Sequence, residues 1–166
     1  MSVPSTPAGY HSVTPYLIVR DAAAAIDFYQ RAFGAVELMR LPGPGNSIAH
    51  AEVKIGDSPL MLADEAPAEG QRSPATLGGT ATSFMIYVPD VDAQFARALA
   101  AGGVEQRPVR DQFYGDRSGT LLDPFGHSWT LATHVEDVSP EEIDRRLQKM
   151  MAGGGWDHAP LWATPV

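Results

Sequence analysis

Leu17-Ile18-Val19-Arg20-Asp21 returns further along the chain as Ile86-Tyr87-Val88-Pro89-Asp90, at a constant offset of 69, and Gly34 falls on Gly103 at the same offset. Each copy has an apolar, β-branched run, then an aspartate suited to cap a helix, then a glycine suited to end one. After Asp21, the residues Ala22, Ile26, Tyr29 and Phe33 recur at helical spacing, which implies one buried face. The repetition predicts an internal duplication, two units of the same architecture in tandem.

Outward from these anchors, residues 13–19 read as a strand and 22–33 as a helix. Extended segments follow at 35–41, 47–55 and 59–63. Pro42-Gly43-Pro44-Gly45 separates the first two, and Gly56-Asp57 is a hairpin signal between the second and third. The second copy repeats the order, with a strand at 82–88, a helix from Asp90 through 102, and strands at 104–110, 117–122 and 128–133. The expectation is an α+β fold of two βαβββ modules, 10–64 and 80–134. They are joined by a Pro- and Gly-rich linker, 65–79. Beyond them, Ser139-Pro140-Glu141-Glu142 carries a cap, a first-turn proline and a capping-box glutamate, so a helix is predicted over 139–152. Its stripe of Ile143, Leu147, Met150 and Met151 must dock on this chain or on a partner. The tail, 153–166, holds Trp156, His158, Leu161 and Trp162 and reads either as a loose terminus or as an arm over a neighbouring surface.

Composition narrows the function. Among 166 residues, 44% are hydrophobic, enough for a core. Twelve basic against twenty acidic residues give a net charge of -8, the wrong sign for a nucleic-acid partner. With no cysteine there is no disulfide, thiolate nucleophile or cysteine metal site. Apolar runs are too short for a membrane span and the N-terminus lacks a signal-peptide pattern, so a soluble, cytoplasmic chain is expected. There is no Gly-x-Ser-x-Gly elbow, phosphate-cradling loop or dinucleotide fingerprint, and Gly43-Pro44-Gly45 lacks the central backbone donor that such a loop needs. No cofactor is expected.

The two tandem units, with Asp123-Pro124-Phe125-Gly126-His127 before the last strand, resemble the vicinal oxygen chelate superfamily. That group holds glyoxalase I, the extradiol dioxygenases and the fosfomycin and bleomycin resistance proteins. The likeness spans about residues 10–135. Thr14-Pro15-Tyr16-Leu17, His50-Ala51-Glu52, Gly56-Asp57-Ser58 and Gln112-Phe113-Tyr114-Gly115-Asp116-Arg117 are similar to its PhnB-like branch. The resemblance implies that each module curls into a half-barrel and that two half-barrels enclose one pocket, within a chain or across a dimer. In metal-using members the ligands stand on the first and last strands of each unit. Those positions fall here on Thr14, Ser83 and Thr130, and on Met61 with Leu60 as the alternative register.

Neutral hydroxyls and a thioether are poor ligands for a divalent ion, which takes imidazole, carboxylate or amide donors. The other metal candidates are His50, Glu52, His134, His127 and His11. Alternation puts His50 and Glu52 on one strand face, puts His134 on the face of Thr130, and turns His11 away from Thr14. No metal is expected at the inherited position.

The expected pocket lining is Thr14, Tyr16 and Ile18 from the first strand, Ser83, Met85 and Tyr87 from the fifth, and Met61 with Thr130. Leu17, Val19, Phe84, Ile86, Trp129 and Leu131, of opposite parity, make the core. At the Gly115 turn, Tyr114 is placed to stack on a flat ligand and Arg117 to pair with an anionic group. Alternatively, Arg117 only ties the turn to Asp116, Asp123 or Glu105. Three functions fit. The first is metal-independent binding of a small organic molecule, aromatic or cationic and antibiotic-like, in the manner of bleomycin resistance proteins. The second is a glyoxalase-like lyase or isomerase with relocated ligands or a His50/Glu52 general base. The third is a dimeric scaffold without ligand. A homodimer is expected in each case, because the edge strands and the last helix need covering.

Overall fold

The computed structural model describes residues 3–153. Its elements run β1 (Tyr16–Val19), α1 (Ala22–Phe33), β2 (Val36–Pro42), β3 (Ile48–Ile55), β4 (Ser58–Asp64), α2 (Pro74–Leu77), β5 (Ser83–Tyr87) and α3 (Val91–Ala100). They continue with β6 (Val104–Asp111), β7 (Asp116–Leu122), β8 (Ser128–His134) and α4 (Pro140–Ala152). Two βαβββ modules therefore stand in tandem, followed by a helix, in an α+β fold. Each module forms a four-stranded sheet, ordered β1-β4-β3-β2 and β5-β8-β7-β6. Only β1 with β4 and β5 with β8 run parallel. A helix after the first strand carries the chain across the sheet, and the other strands return by short antiparallel turns. Among the described residues no helix is long and apolar enough to cross a membrane.

The repeated aspartates act alike. Asp21 accepts from the Ala24 amide at 2.9 Å and Asp90 from the Ala93 amide at 3.0 Å, each capping its helix. The repeated glycines do not. Gly34 ends α1 in the left-handed conformation, with φ 70°. In the second module that turn belongs to Gly102, while a Cβ on Gly103 would stand 3.0 Å from the Ala98 carbonyl oxygen. One glycine serves conformation, the other close approach.

Two expectations are revised. β1 begins at Tyr16, because its ladder starts at Tyr16 opposite Met61 and Pro15 contributes only a carbonyl, which accepts from the Met61 amide. Residues 65–79 are more than a plain linker. They hold a 3-10 turn, Pro67–Glu69, and the one-turn helix α2. The Glu65 carboxylate organises them: it accepts from the Ser73 amide at 3.0 Å, the Ser73 hydroxyl at 2.7 Å and the Thr76 hydroxyl at 2.6 Å, with Arg20 at 3.3 Å. These bonds to the ionised form hold its pKa down at about 2.

The core lies where alternation places it. Leu17, Val19, Val53 and Leu62 from the first sheet, and Leu121, Trp129 and Leu131 from the second, are buried under α1 and α3. The modules join through these helices. Phe33 of α1 packs 4.9 Å from Trp129 and Phe28 packs edge-on to Phe125 at 6.3 Å. Arg97 and Gln94 of α3 donate to the Gln30, Arg31 and Ala32 carbonyls at the end of α1. Beneath the seam lies Asp123, 2% exposed. Its carboxylate accepts from Tyr29 Oη at 2.9 Å, Trp129 Nε1 at 2.9 Å, and the Phe125 and His127 amides at 2.9 and 2.8 Å.

Asp123→Ala orphans these four donors and is expected to destabilise the protein by about 3 kcal/mol or more, read from urea unfolding. Glu65 has a folded pKa of about 2 against an ordinary 4.5. Its contribution to stability is therefore whole above about pH 4.5 and fades as the pH falls toward 2. Urea midpoints measured against pH should fall less steeply over that window for Glu65→Gln than for the parent.

Candidate functional site

The sheet faces turned away from α1 and α3 carry the polar chemistry. On the first sheet the register aligns Tyr16, Met61, Glu52 and Met39 in one row. His50, two residues from Glu52, shares that face. Its ring bridges two partners, with Nε2 3.1 Å from Glu52 Oε1 and Nδ1 2.9 Å from Tyr16 Oη. The carboxylate can only accept, so Nε2 carries the proton and Tyr16 donates to Nδ1. Tyr10 donates to the other Glu52 oxygen. The Tyr10 bond, and secondarily the His50 bond, hold the Glu52 pKa below the usual range, while burial raises that of Tyr16.

On the second sheet the matching row is Met85, Thr130 and Thr120, with the two threonine hydroxyls 3.0 Å apart. Tyr87 donates to Asp116 at 2.9 Å. His134 sits between two carboxylates, Nδ1 2.8 Å from Asp116 and Nε2 3.0 Å from Asp137. Both nitrogens must donate there, which defines an imidazolium. Asp137 first, and Asp116 next, raise its pKa.

The expected site residues divide between these faces. Tyr16 and Met61 lie on the first, and the neighbouring Leu60 is buried on the opposite side, which fixes the register at Met61. Thr14 stands just ahead of β1, its hydroxyl 3.4 Å from the His11 carbonyl. Ser83, Met85, Tyr87 and Thr130 lie on the second face, and the half-buried Tyr114 reaches Ser118 beside them. Arg117 does not join them. Asp116 faces the open side, so its neighbour must face the helices. There Arg117 clamps Asp92 of α3 at 2.7 and 2.8 Å and reaches Asp111 at 3.1 Å. Ion pairing thus replaces the expected ligand role, with partners other than Asp116, Asp123 or Glu105. Tyr10, Asp116, Thr120 and Asp137 were not anticipated. The alternation that placed Thr130 also pointed to Asp116, but Tyr10 and Asp137 lie outside the strands, where no periodicity exists to read.

One chain leaves both faces open. Tyr16 is 47% exposed, Met85 45% and Tyr87 61%. Met85 and Tyr87 border a groove of about 480 Å³ with Pro59, Phe84 and Trp129. Tyr16 borders a separate hollow of about 300 Å³, and Ser83 a third, of about 630 Å³.

A sequence profile of the Glyoxalase/Bleomycin resistance protein/Dioxygenase superfamily matches residues 9–131. The chain belongs to this superfamily. An uncharacterised Mycobacterium tuberculosis protein, Rv0887c, is 44% identical over 145 residues, covering 86% of this chain and 85% of its own. Among solved structures, TioX from Micromonospora sp. ML1 is 28% identical with a TM-score of 0.59, covering 78% of this chain and all of that one. Protein PA1353 from Pseudomonas aeruginosa is 25% identical with a TM-score of 0.61, covering 76% of this chain and 99% of its own.

The positions that the family resemblance assigns to a metal are Thr14, Met61, Ser83 and Thr130. Three hydroxyls and a thioether supply neither imidazole nor anionic charge, so this donor set does not fit a divalent ion. Elsewhere among the described residues, no three His, Asp or Glu side chains converge as a metal site.

The imidazolium assignment is testable by NMR titration. His134 should titrate above its ordinary 6.5, and Asp137→Asn should bring it back toward that value. A raised histidine pKa stabilises the fold fully below 6.5 and loses that contribution as the pH rises through the folded value.

Proposed function

We propose that this protein binds a small organic molecule, flat and aromatic or cationic, on these open faces without the help of a metal, as bleomycin resistance proteins do. The observation carrying this reading is the replacement of ligating groups by Thr14, Met61, Ser83 and Thr130, next to exposed Tyr16, Met85 and Tyr87. Aromatic and thioether side chains offer stacking and dispersion to a flat ligand, and the hydroxyls give it orientation. The net charge of -8 favours a cation in the general field of the protein.

The alternative, base catalysis by His50 and Glu52, is less well supported. Both nitrogens of His50 are engaged, so neither is free to take a proton from a substrate. Tyr16, bonded to His50 at 2.9 Å, has a raised pKa and keeps its own proton. The geometry supports a positioned hydroxyl over a base.

A second copy completes the proposal. The modules of one chain join through α1 and α3 on the opposite side, which leaves both polar faces uncovered. Apolar groups this exposed favour association. Two chains can bring the first-module face of one against the second-module face of the other and enclose a pocket. The proposed assembly is a cytoplasmic homodimer.

Acridine orange, a planar cation, tests the reading by fluorescence titration of chelator-treated protein. Binding that survives chelation is expected, with Tyr87→Ala and Met85→Ala each weakening it by about tenfold. His50→Ala should change it far less. Binding that vanishes with chelator and returns with added zinc would overturn the metal-free reading. A chain that remains monomeric by light scattering would overturn the dimer, and the absence of binding would leave the scaffold alternative.

A further inference from the structure

The groove of about 480 Å³ bordered by Met85 and Tyr87 runs between the turn joining β3 to β4 in the first module and β5 of the second. Its hydrogen-bond donors share one property. Tyr87 donates to Asp116 Oδ2, Ser58 to Asp57 Oδ1 and Trp129 Nε1 to Asp123 Oδ2, each at 2.9 Å. A carboxylate can only accept, so the direction of all three bonds is fixed. What these groups leave for a ligand is acceptor capacity: the lone pairs of Tyr87 Oη and Ser58 Oγ, and the Asp57 carboxylate. Asp116 is 4% exposed and Tyr87 61%, so the tyrosine proton points from an open ring into a buried partner. Burial first, and the Asp116 bond next, raise the Tyr87 pKa, while the Ser58 bond lowers that of Asp57. At neutral pH one is a hydroxyl and the other a carboxylate.

Charge points the same way. Among the described residues lining the groove there is no Lys or Arg, and Asp57 is the one carboxylate. His11, the remaining polar side chain, and Lys54 outside the groove lie within electrostatic reach of Asp57. Asp57 is exposed, so its charge attracts any cation weakly and is screened by salt, and discrimination between cations falls to Tyr87. We infer that the ligand of this groove is a flat aromatic cation carrying amino N–H groups, one of which donates to Tyr87 Oη while Asp57 attracts its charge. The inference rests on the open-face reading and specifies its ligand. Met85, Phe84 and Pro59 offer the ring apolar contact. Alkylating the amino groups would set methyls against Tyr87 Oη and leave that acceptor unmatched, and an anion would meet acceptors alone.

Proflavine and acridine orange make the test, since both are planar acridine cations and differ in carrying amino or dimethylamino groups at the same positions. Fluorescence titration of the full chain should show proflavine binding about fivefold more tightly than acridine orange. Tyr87→Phe keeps the ring and removes the acceptor, so it should erase that preference by weakening proflavine about fivefold. Acridine orange should bind Tyr87→Phe as it binds the parent, which also shows that the variant is folded. Asp57→Asn should weaken both dyes, and the loss should shrink at high salt. Anthracene-2-carboxylate, a flat anion, should not bind. Equal affinity for the two dyes, proflavine binding indifferent to Tyr87→Phe, or binding of the anion would each overturn this inference and leave the open-face reading standing. Failure of both dyes to bind would overturn that reading, and this inference with it.

Discussion

The structure turns on one buried carboxylate. Asp123 is held by a tyrosine from the first module, an indole from the second, and two amides of its own turn. A carboxylate so far from water is tolerable only when its lone pairs are filled, and four donors fill them. The arrangement also fixes the relation between modules, because the Tyr29 hydroxyl can reach Asp123 only when α1 packs beside α3 with its aromatic face toward Trp129. Phe28, Phe33, Phe125 and Trp129 then close around it. The helices are committed to the seam, and the opposite sheet faces remain available for ligand or partner.

Those faces show how a duplicated scaffold diverges while its backbone stays. Rows related by the repeat hold Tyr16, Met61 and Glu52 in one module and Met85, Thr130 and Thr120 in the other. The first face has an imidazole between a tyrosine and a carboxylate, the second one between two carboxylates. The same residue type has a single acidic neighbour in one module and two in the other, and the two carboxylates raise the His134 pKa. Superfamily membership sets the scaffold, and these side chains decide what it can hold.

Much of the site was legible because strands alternate. Parity alone put His50 with Glu52 and Thr130 with His134, and it assigned Leu17, Phe84 and Trp129 to the core. Applied to Arg117, the same rule would have sent it to the helix side, but the reading as a turn residue hid this. The Ser73-Pro74 cap was equally readable, since it repeats the signal at Ser139-Pro140, yet its surroundings of Gly and Pro suggested a linker. Tyr10 and Asp137 could not be found this way, because loop residues carry no period and their partners are set by how the chain returns.

From residues alone came the duplication, the βαβββ order, and the inward and outward faces. All of these depend on local spacing, which a linear chain records. Folding decided that the modules meet through α1, α3 and Asp123, that Arg117 serves α3, and that Asp57 and Tyr87 border one groove. Each of these joins residues distant in sequence, and contacts of that kind exist only once helices and sheets have found the packing that buries their apolar faces together.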